Sequence, residues 1–256
     1  MRRAMMQKTV ECLADAAPAA SPLDGAFAAL AAYEWGTDAN AVRPIEDAIA
    51  AAFGNPQLRA ELETRLGAVV KSGAPPAGLL LACKHLSRVG GAGCVPALAA
   101  VLAGGGEAAP AARYALERIT APEAGQALRA ELARTPPAGR IGIINSLGVR
   151  REPESVPALA ACLGGDAPEV AAAAAAALGD IGGEEAAKAL GAARAKAAGD
   201  LRLAIADALL ACAERLLAEG KPADARALYE SLDSAGQPAH VAEAVRRGIT
   251  RARGAK

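Results

Sequence analysis

The sequence predicts an all-α fold, an α-solenoid built from antiparallel helical hairpins. Three observations predict it: a repeat of about 30–31 residues, a composition that favours helices, and turn residues that recur at fixed places in the repeat. Hydrophobic residues make up 53% of the chain but aromatic residues only 2%. Alanine and leucine, the strongest helix formers, dominate, whereas residues that favour strands are scarce.

The repeat is visible in four segments that superimpose on one another. Each segment has a leucine near its start, at Leu86, Leu116, Leu147 and Leu178. Each also ends on a leucine with the same spacing, at Leu98, Leu128, Leu159 and Leu190. Two landmarks that keep register over three intervals indicate a structural repeat. We call the first leucine of each unit its anchoring leucine.

Each unit also has the turn residues that two helices require. The first helix is expected to end about three residues after the anchoring leucine, followed by a turn at Gly90–Gly91, Pro122, Pro153 or Gly182–Gly183. Pro96 and Pro157 fall in the first turn of the second helix, where a missing N–H is tolerated. A single hairpin cannot bury its apolar face, so stability must come from stacked neighbours.

The flanking segments are less regular but also predict helices. Leu, Ile or Val recurs at helical spacing over four upstream segments, which we interpret as two further hairpins: 23–36, 41–53, 56–71 and 76–89. Residues 1–22, rich in alanine and proline, are expected to form a flexible tail. The repeat array is expected to span 23–218 and a terminal hairpin 219–256, which either caps the array or binds a peptide by itself.

The unit resembles HEAT repeats. The motif L-x-x-[VI]-G-G at one turn and V-P-A-L at the next helix are similar to the short HEAT-like repeats named after phycobilisome lyases. Residues 86–98 and 178–190 carry this pattern best, whereas Arg150–Arg151 replaces the expected Ile-Gly and predicts an irregular turn. The order of residues from Leu209 to Tyr229 resembles one tetratricopeptide hairpin. The resemblance implies a non-catalytic scaffold that binds proteins.

The sequence contains no recognisable catalytic or metal-binding motif. Its two histidines, His85 and His240, lie far apart in the chain, and neither is followed by the glutamate found in iron-binding HEAT repeats. HExxH, GxSxG, a zinc-ligand cluster and a P-loop are absent. The five cysteines (Cys12, Cys83, Cys94, Cys162 and Cys212) form no CxxC and are interpreted as buried free thiols in a reducing compartment. We therefore expect neither enzymatic activity nor a cofactor.

Charge and hydropathy narrow the classes of partner. Lys plus Arg number 28 and Asp plus Glu number 28, and this balance argues against a nucleic-acid binder, which usually has a basic excess. Lys8, Glu11 and Asp15 interrupt any signal-peptide core after Arg2–Arg3, and no uncharged apolar run is long enough to cross a membrane. We expect a cytoplasmic protein without a membrane partner.

The repeat register predicts which side chains face outward. Residues two before and two after an anchoring leucine are rotated by about 200° from it, since each residue turns about 100°. They are Lys84 and Arg88, Tyr114 and Arg118, Asn145 and Val149, and Ala176 and Asp180. In HEAT arrays this helix lines the concave face, so the resemblance places these positions in a groove.

We expect the binding site to comprise Lys84, Arg88, Arg113, Tyr114, Arg118 and Asn145, and its partner to be an acidic peptide or another protein. The same residues also fit a plain solvated helix face. Two further functions stay open: a nucleic-acid binder similar to HEAT-like DNA glycosylases, and a chromophore lyase or chaperone of the phycobilisome-lyase type, which needs an aromatic-lined groove.

Overall fold

The structure, a computed structural model, describes residues 21–165, 167–232 and 238–254. These residues contain helices and turns but no strand. In chain order the α-helices are α1 (Pro22–Ala31), α2 (Arg43–Ala51), α3 (Pro56–Lys71), α4 (Pro76–Val89), α5 (Val95–Gly104), α6 (Ala109–Arg118), α7 (Pro122–Arg134), α8 (Pro137–Arg150), α9 (Val156–Cys162), α10 (Pro168–Ile181), α11 (Gly183–Arg194), α12 (Gly199–Ala218), α13 (Pro222–Leu232) and α14 (Ala239–Gly254). Short 3-10 helices cover Ala39–Val42, Ala92–Cys94 and Pro153–Ser155.

The helices alternate between two layers. Helices α4, α6, α8, α10 and α12 pack side by side, each against the next, and form what we call the inner layer. Helices α3, α5, α7, α9 and α11 form the outer layer, and each packs against the inner helix that follows it in the chain. This alternation is the arrangement expected of stacked antiparallel hairpins, so the predicted all-α solenoid is confirmed.

The leucines that define the repeat occupy equivalent places in the core. All four anchoring leucines and all four closing leucines have no exposed surface. The register continues for one more unit, because Leu209 lies one repeat after Leu178 and is buried in α12. A core composed mainly of leucine and alanine, with few aromatic rings, permits the helices of this array to approach one another closely.

Consecutive inner helices come nearest to one another at a repeated point. The residue after the anchoring leucine of one helix faces the residue before it in the next: Gly148 faces Ala177, and Gly179 faces Ala208. A Cβ atom on either glycine would lie only 3.0 Å from the Cα atom of the facing alanine. Contacts between neighbouring outer helices are less extensive. The inner layer is therefore the more closely packed of the two.

The upstream helices correspond to the expected segments, but two of them are shorter than expected: α2 covers Arg43–Ala51 of the segment 41–53, and α1 is also shortened. Helices α3 and α4 cover 56–71 and 76–89 as predicted, but α1 ends at Ala31 instead of continuing to residue 36. The carbonyl of Tyr33 accepts a hydrogen bond from the backbone N–H of Gly78 (3.1 Å). This tertiary contact takes the chain out of the helix. Ser21 caps α1, whereas residues 1–20 of the predicted tail lie outside the described residues.

The C-terminal helices close the array. Helix α13 packs on α12, and α14 packs on both. Tyr229 in α13 is buried and donates a hydrogen bond to Oε1 of Glu214 (2.6 Å), and Arg251 in α14 donates to Oε2 of the same carboxylate (2.7 Å). Gly248 leaves room for the ring, because a Cβ atom there would clash with Tyr229. The tetratricopeptide interpretation of this hairpin stays a prediction.

The close approach of α10 and α12 can be tested by adding a side chain between them. Gly179→Leu should lower the free energy of unfolding by about 3 kcal/mol, because its branched side chain must displace the backbone of Ala208. Gly191→Ala is the matched control in α11, where no atom lies within 4 Å of the new Cβ. It should raise the free energy of unfolding by about 0.5–1 kcal/mol through helix propensity. Urea unfolding measures both; equal stability of Gly179→Leu and the wild type would rule out this contact.

Candidate functional site

The outward positions predicted from the register lie on one exposed surface. Residues two before and two after each anchoring leucine are all exposed, and Asp207 and Ala211 on α12 extend the series. We call this surface the inner stripe: Lys84, Arg88, Tyr114, Arg118, Asn145, Val149, Ala176, Asp180, Asp207 and Ala211. Because the inner helices pack side by side, the stripe crosses all five of them on one face of the array.

The cations of the stripe are not used by the fold. Among the described residues, the charged groups of Lys84, Arg88 and Arg118 have no hydrogen-bond or ion-pair partner. Lys84 and Arg88 lie one turn apart on α4, and Arg118 is on the neighbouring inner helix, α6. The N-terminal half of the stripe is therefore a group of positive charges that are available to a partner.

Two apolar side chains lie among these charges. Tyr114 is 47% exposed and Val149 is 55% exposed, which is unusual for large hydrophobic residues in this molecule. Phe53, which is 97% exposed, borders a shallow cavity of about 290 Å³ together with Arg88 at the N-terminal end of the stripe. The stripe itself contains one aromatic ring, that of Tyr114, so its described residues do not form the aromatic-lined groove that a chromophore lyase needs.

Arg113 lies apart from the other five predicted site residues. Its guanidinium donates hydrogen bonds to Oγ of Ser146 (2.5 Å) and to the carbonyl of Gly142 (3.2 Å), and it lies 3.6 Å from the carboxylate of Glu117. Ser146 in turn donates to Glu117 (2.8 Å). Arg113 precedes Leu116 by three residues, and a rotation of about 300° directs it towards the core and not away from it. The structure thus places it in the contact between α6 and α8.

Two further arginines stabilise the carboxyl ends of inner helices. Arg150 has a side chain only 4% exposed and donates hydrogen bonds to the last carbonyls of α6 and to the turn beyond, at Leu116, Glu117, Ile119 and Ala121, and to the carboxylate of Glu152. Arg59 donates to the carbonyls of Val89 (3.0 Å) and Gly90 (3.3 Å) at the end of α4. A cation satisfies the free carbonyls at a helix C-terminus and the negative end of its dipole.

The turn with Arg150–Arg151 is irregular, as the sequence predicted. Arg151 has a φ of 55° and is the only non-glycine residue with positive φ in the described part of the chain. Sequence reasoning did not find the role of Arg150, although a charged residue where the repeat has an apolar one was a signal. This buried guanidinium replaces an apolar contact with hydrogen bonds to the preceding repeat.

The adjacent arginines should respond to mutation in opposite ways. Arg150→Ala should lower the free energy of unfolding by about 2–3 kcal/mol, because it leaves buried carbonyls and Glu152 without their donor. Arg151→Gly removes the same charge but relieves a left-handed backbone conformation, so stability should stay the same or rise by up to about 1 kcal/mol. Urea unfolding of both variants distinguishes them, and equal losses would contradict the capping role of Arg150.

The histidines and cysteines occupy structural positions. His85 is buried, and burial lowers its pKa; Glu46 raises it, and Lys84 and Arg88 lower it further. The imidazole is therefore neutral at pH 7 and belongs to the core, whereas His240 is exposed on α14. The described cysteines are free and buried at Cys83, Cys94, Cys162 and Cys212; Cys12 lies outside the described residues. Within that part of the chain, no three His, Cys, Asp or Glu residues are grouped as metal ligands.

The buried thiols predict a loss of stability at alkaline pH. Burial raises the pKa of Cys83 to about 12 and that of Cys212 to about 11, above the value of about 8.5 for an unfolded chain. The two protonated thiols contribute fully to the free energy of unfolding below a pH of about 8.5. This contribution declines as the pH rises, because the thiols of the unfolded chain lose protons that the buried thiols retain. The free energy of unfolding should fall between about pH 8.5 and pH 11, the interval between the unfolded pKa and the folded pKa of Cys212. Cys212→Ala should have a lower free energy of unfolding than the wild type at the start of this interval, but its free energy of unfolding should fall less as the pH rises. An equal fall in both proteins would contradict the raised pKa of Cys212.

Comparison with known proteins identifies the repeat. The geometry defines an α-solenoid with an exposed stripe along its inner layer. Residues 125–210 match the family model for HEAT repeats, and this range runs from α7 into α12. Residues 125–210 of this α-solenoid are therefore similar to HEAT repeats, and the irregular unit at 147–159 lies within the match. No curated protein matches the chain.

HEAT repeats commonly mediate protein interactions and are generally non-catalytic. The narrower resemblance to repeats of the phycobilisome-lyase type, the cytoplasmic location and the choice of partner stay predictions. Over the part of the chain that the structure describes, each helix is either too short or too polar to cross a membrane.

Proposed function

We propose that this protein is a non-catalytic scaffold that binds an acidic segment of a partner protein along the N-terminal half of the inner stripe. One observation carries the proposal: the arginines divide into two groups. Arg59, Arg113 and Arg150 are engaged in hydrogen bonds between repeats. Arg88 and Arg118 occupy equivalent places on adjacent helices and have no partner among the described residues.

The spacing of these cations suits an extended polypeptide. Along one helix, Lys84 and Arg88 are separated by about 6 Å, given a rise of about 1.5 Å per residue. Adjacent packed helices are about 8–10 Å apart, which is the separation expected between Arg88 and Arg118. A chain in the polyproline II conformation advances about 3.1 Å per residue with three residues per turn, so carboxylates three residues apart lie on one face and would reach successive helices. Arginine also pairs with carboxylates through two parallel hydrogen bonds, which favours a defined register.

The apolar side chains supply the contact area that exposed ion pairs lack. Exposed ion pairs contribute only about 0–1 kcal/mol each, so charge alone would give weak binding. Tyr114 lies one turn before Arg118 on α6, at the position equivalent to that of Lys84 on α4, and Val149 follows on α8. Partly buried tyrosines are frequent among the residues that contribute most to protein interfaces. An acidic segment with an apolar residue near its centre fits this arrangement best.

Binding of a synthetic peptide tests the proposal. A labelled twelve-residue peptide with Glu at every third position and one central Leu should bind at low salt, and its affinity should fall as the salt concentration rises. Arg88→Glu/Arg118→Glu should weaken binding at least tenfold, and Tyr114→Ala should weaken it about threefold to tenfold. Fluorescence anisotropy measures the affinities, and circular dichroism verifies that each variant is folded.

The control variant makes the same change in net charge elsewhere. Lys71→Glu/Arg134→Glu reverses two exposed cations on the outer helices α3 and α7 and should leave peptide binding within about twofold of wild type. If the control variant lost as much affinity as Arg88→Glu/Arg118→Glu, binding would depend on net charge and the stripe would not be the site. Tighter binding of a DNA duplex than of the peptide would favour the nucleic-acid alternative.

A further inference from the structure

The inner stripe changes sign along its length. Its inner helices α4 and α6 present Lys84, Arg88 and Arg118, and its last two present Asp180 on α10 and Asp207 on α12. We propose that the stripe binds a bipolar segment, one that has an acidic block, a short neutral centre and a basic block. This inference rests on the proposed function and specifies the chemistry of the whole partner segment.

The two aspartates are as available as the cations. Asp180 and Asp207 are exposed, and neither has a hydrogen-bond or ion-pair partner among the described residues. The companion positions on their helices are Ala176 and Ala211, whose methyl groups do not screen the carboxylates. Cations and anions therefore occupy equivalent positions of one repeat register and share one surface.

The centre of the stripe separates the two charged halves. Helix α8 presents Asn145 and Val149, which are both uncharged. From α4 to α12 the stripe crosses four intervals between neighbouring helices, or about 32–40 Å in all if each is about 8–10 Å. An extended chain of about 11 or 12 residues covers this length. The matching segment has about four residues in each of its three parts.

Charge complementarity selects this segment over a uniformly acidic one. A uniformly acidic segment that runs the whole stripe would place carboxylates against Asp180 and Asp207, and such like-charge contacts disfavour binding. A segment that turns basic at α10 replaces this repulsion with two further ion pairs. Exposed pairs contribute about twofold to fivefold in affinity each, so the whole pattern changes affinity by at least tenfold.

The test uses three synthetic peptides of twelve residues. The block peptide has four Glu, four neutral residues and four Lys in that order, and the alternating peptide has the same composition with the charges interspersed. The acidic peptide has four Glu and eight neutral residues. Fluorescence anisotropy at low salt should show the block peptide binding at least tenfold more tightly than the alternating peptide and more tightly than the acidic one.

Variants of the protein locate the effect. Asp180→Lys/Asp207→Lys should remove the advantage of the block peptide over the acidic peptide and leave the affinity for the acidic peptide unchanged or higher. Glu123→Lys/Glu185→Lys is the matched control, because both glutamates are exposed on outer helices; it should preserve the advantage. Circular dichroism verifies the fold of each variant.

The outcomes separate this inference from the proposed function. If the block and alternating peptides bind equally while the acidic peptide binds and depends on Arg88 and Arg118, the bipolar inference is wrong and the proposed function stands. If none of the three peptides binds, both are wrong. A dimer of the protein that dissociates in Arg88→Glu/Arg118→Glu would also overturn the inference, since the second copy would then be the occupant.

Discussion

The close packing of consecutive inner helices is the constraint on which the rest of the molecule depends. Gly148 against Ala177 and Gly179 against Ala208 allow backbones to meet with little between them. Between α8, α10 and α12 this contact keeps one register from repeat to repeat. Because the buried anchoring leucines recur at a constant spacing, the residues on the opposite side of each inner helix are also aligned. The packing that forms the core therefore also produces the continuous inner stripe.

Arginine has two distinct roles in this framework. Arg113 and Arg150 form hydrogen bonds between α6 and α8, whereas α8, α10 and α12 pack through glycine and alanine. Polar contacts therefore stabilise the middle of the array. Arg88 and Arg118 are exposed on the inner stripe and make no hydrogen bond or ion pair with the described residues. The distinction follows from helical phase: residues two positions from the anchoring leucine point outward, and residues three positions away point towards the core.

The sequence was sufficient for the features that depend on periodicity. The spacing of the leucines predicted the fold class and the buried anchors, and their helical phase predicted the exposure of Lys84, Tyr114 and Asn145. It was insufficient where a single tertiary contact decides the outcome. The early end of α1 depends on a hydrogen bond from Gly78, and the burial of Arg150 depends on carbonyl groups of the preceding repeat. The side-chain hydrogen bonds of Arg113 to α8 likewise depend on residues of the next repeat, Gly142 and Ser146.

The most direct test of the central claim is a crystal structure of the protein with the acidic peptide bound. We predict peptide carboxylates paired with the guanidinium groups of Arg88 and Arg118, with an apolar peptide side chain against Tyr114. A peptide bound on the outer layer or at the C-terminal hairpin, with the inner stripe free, would contradict the claim that the inner stripe is the binding surface.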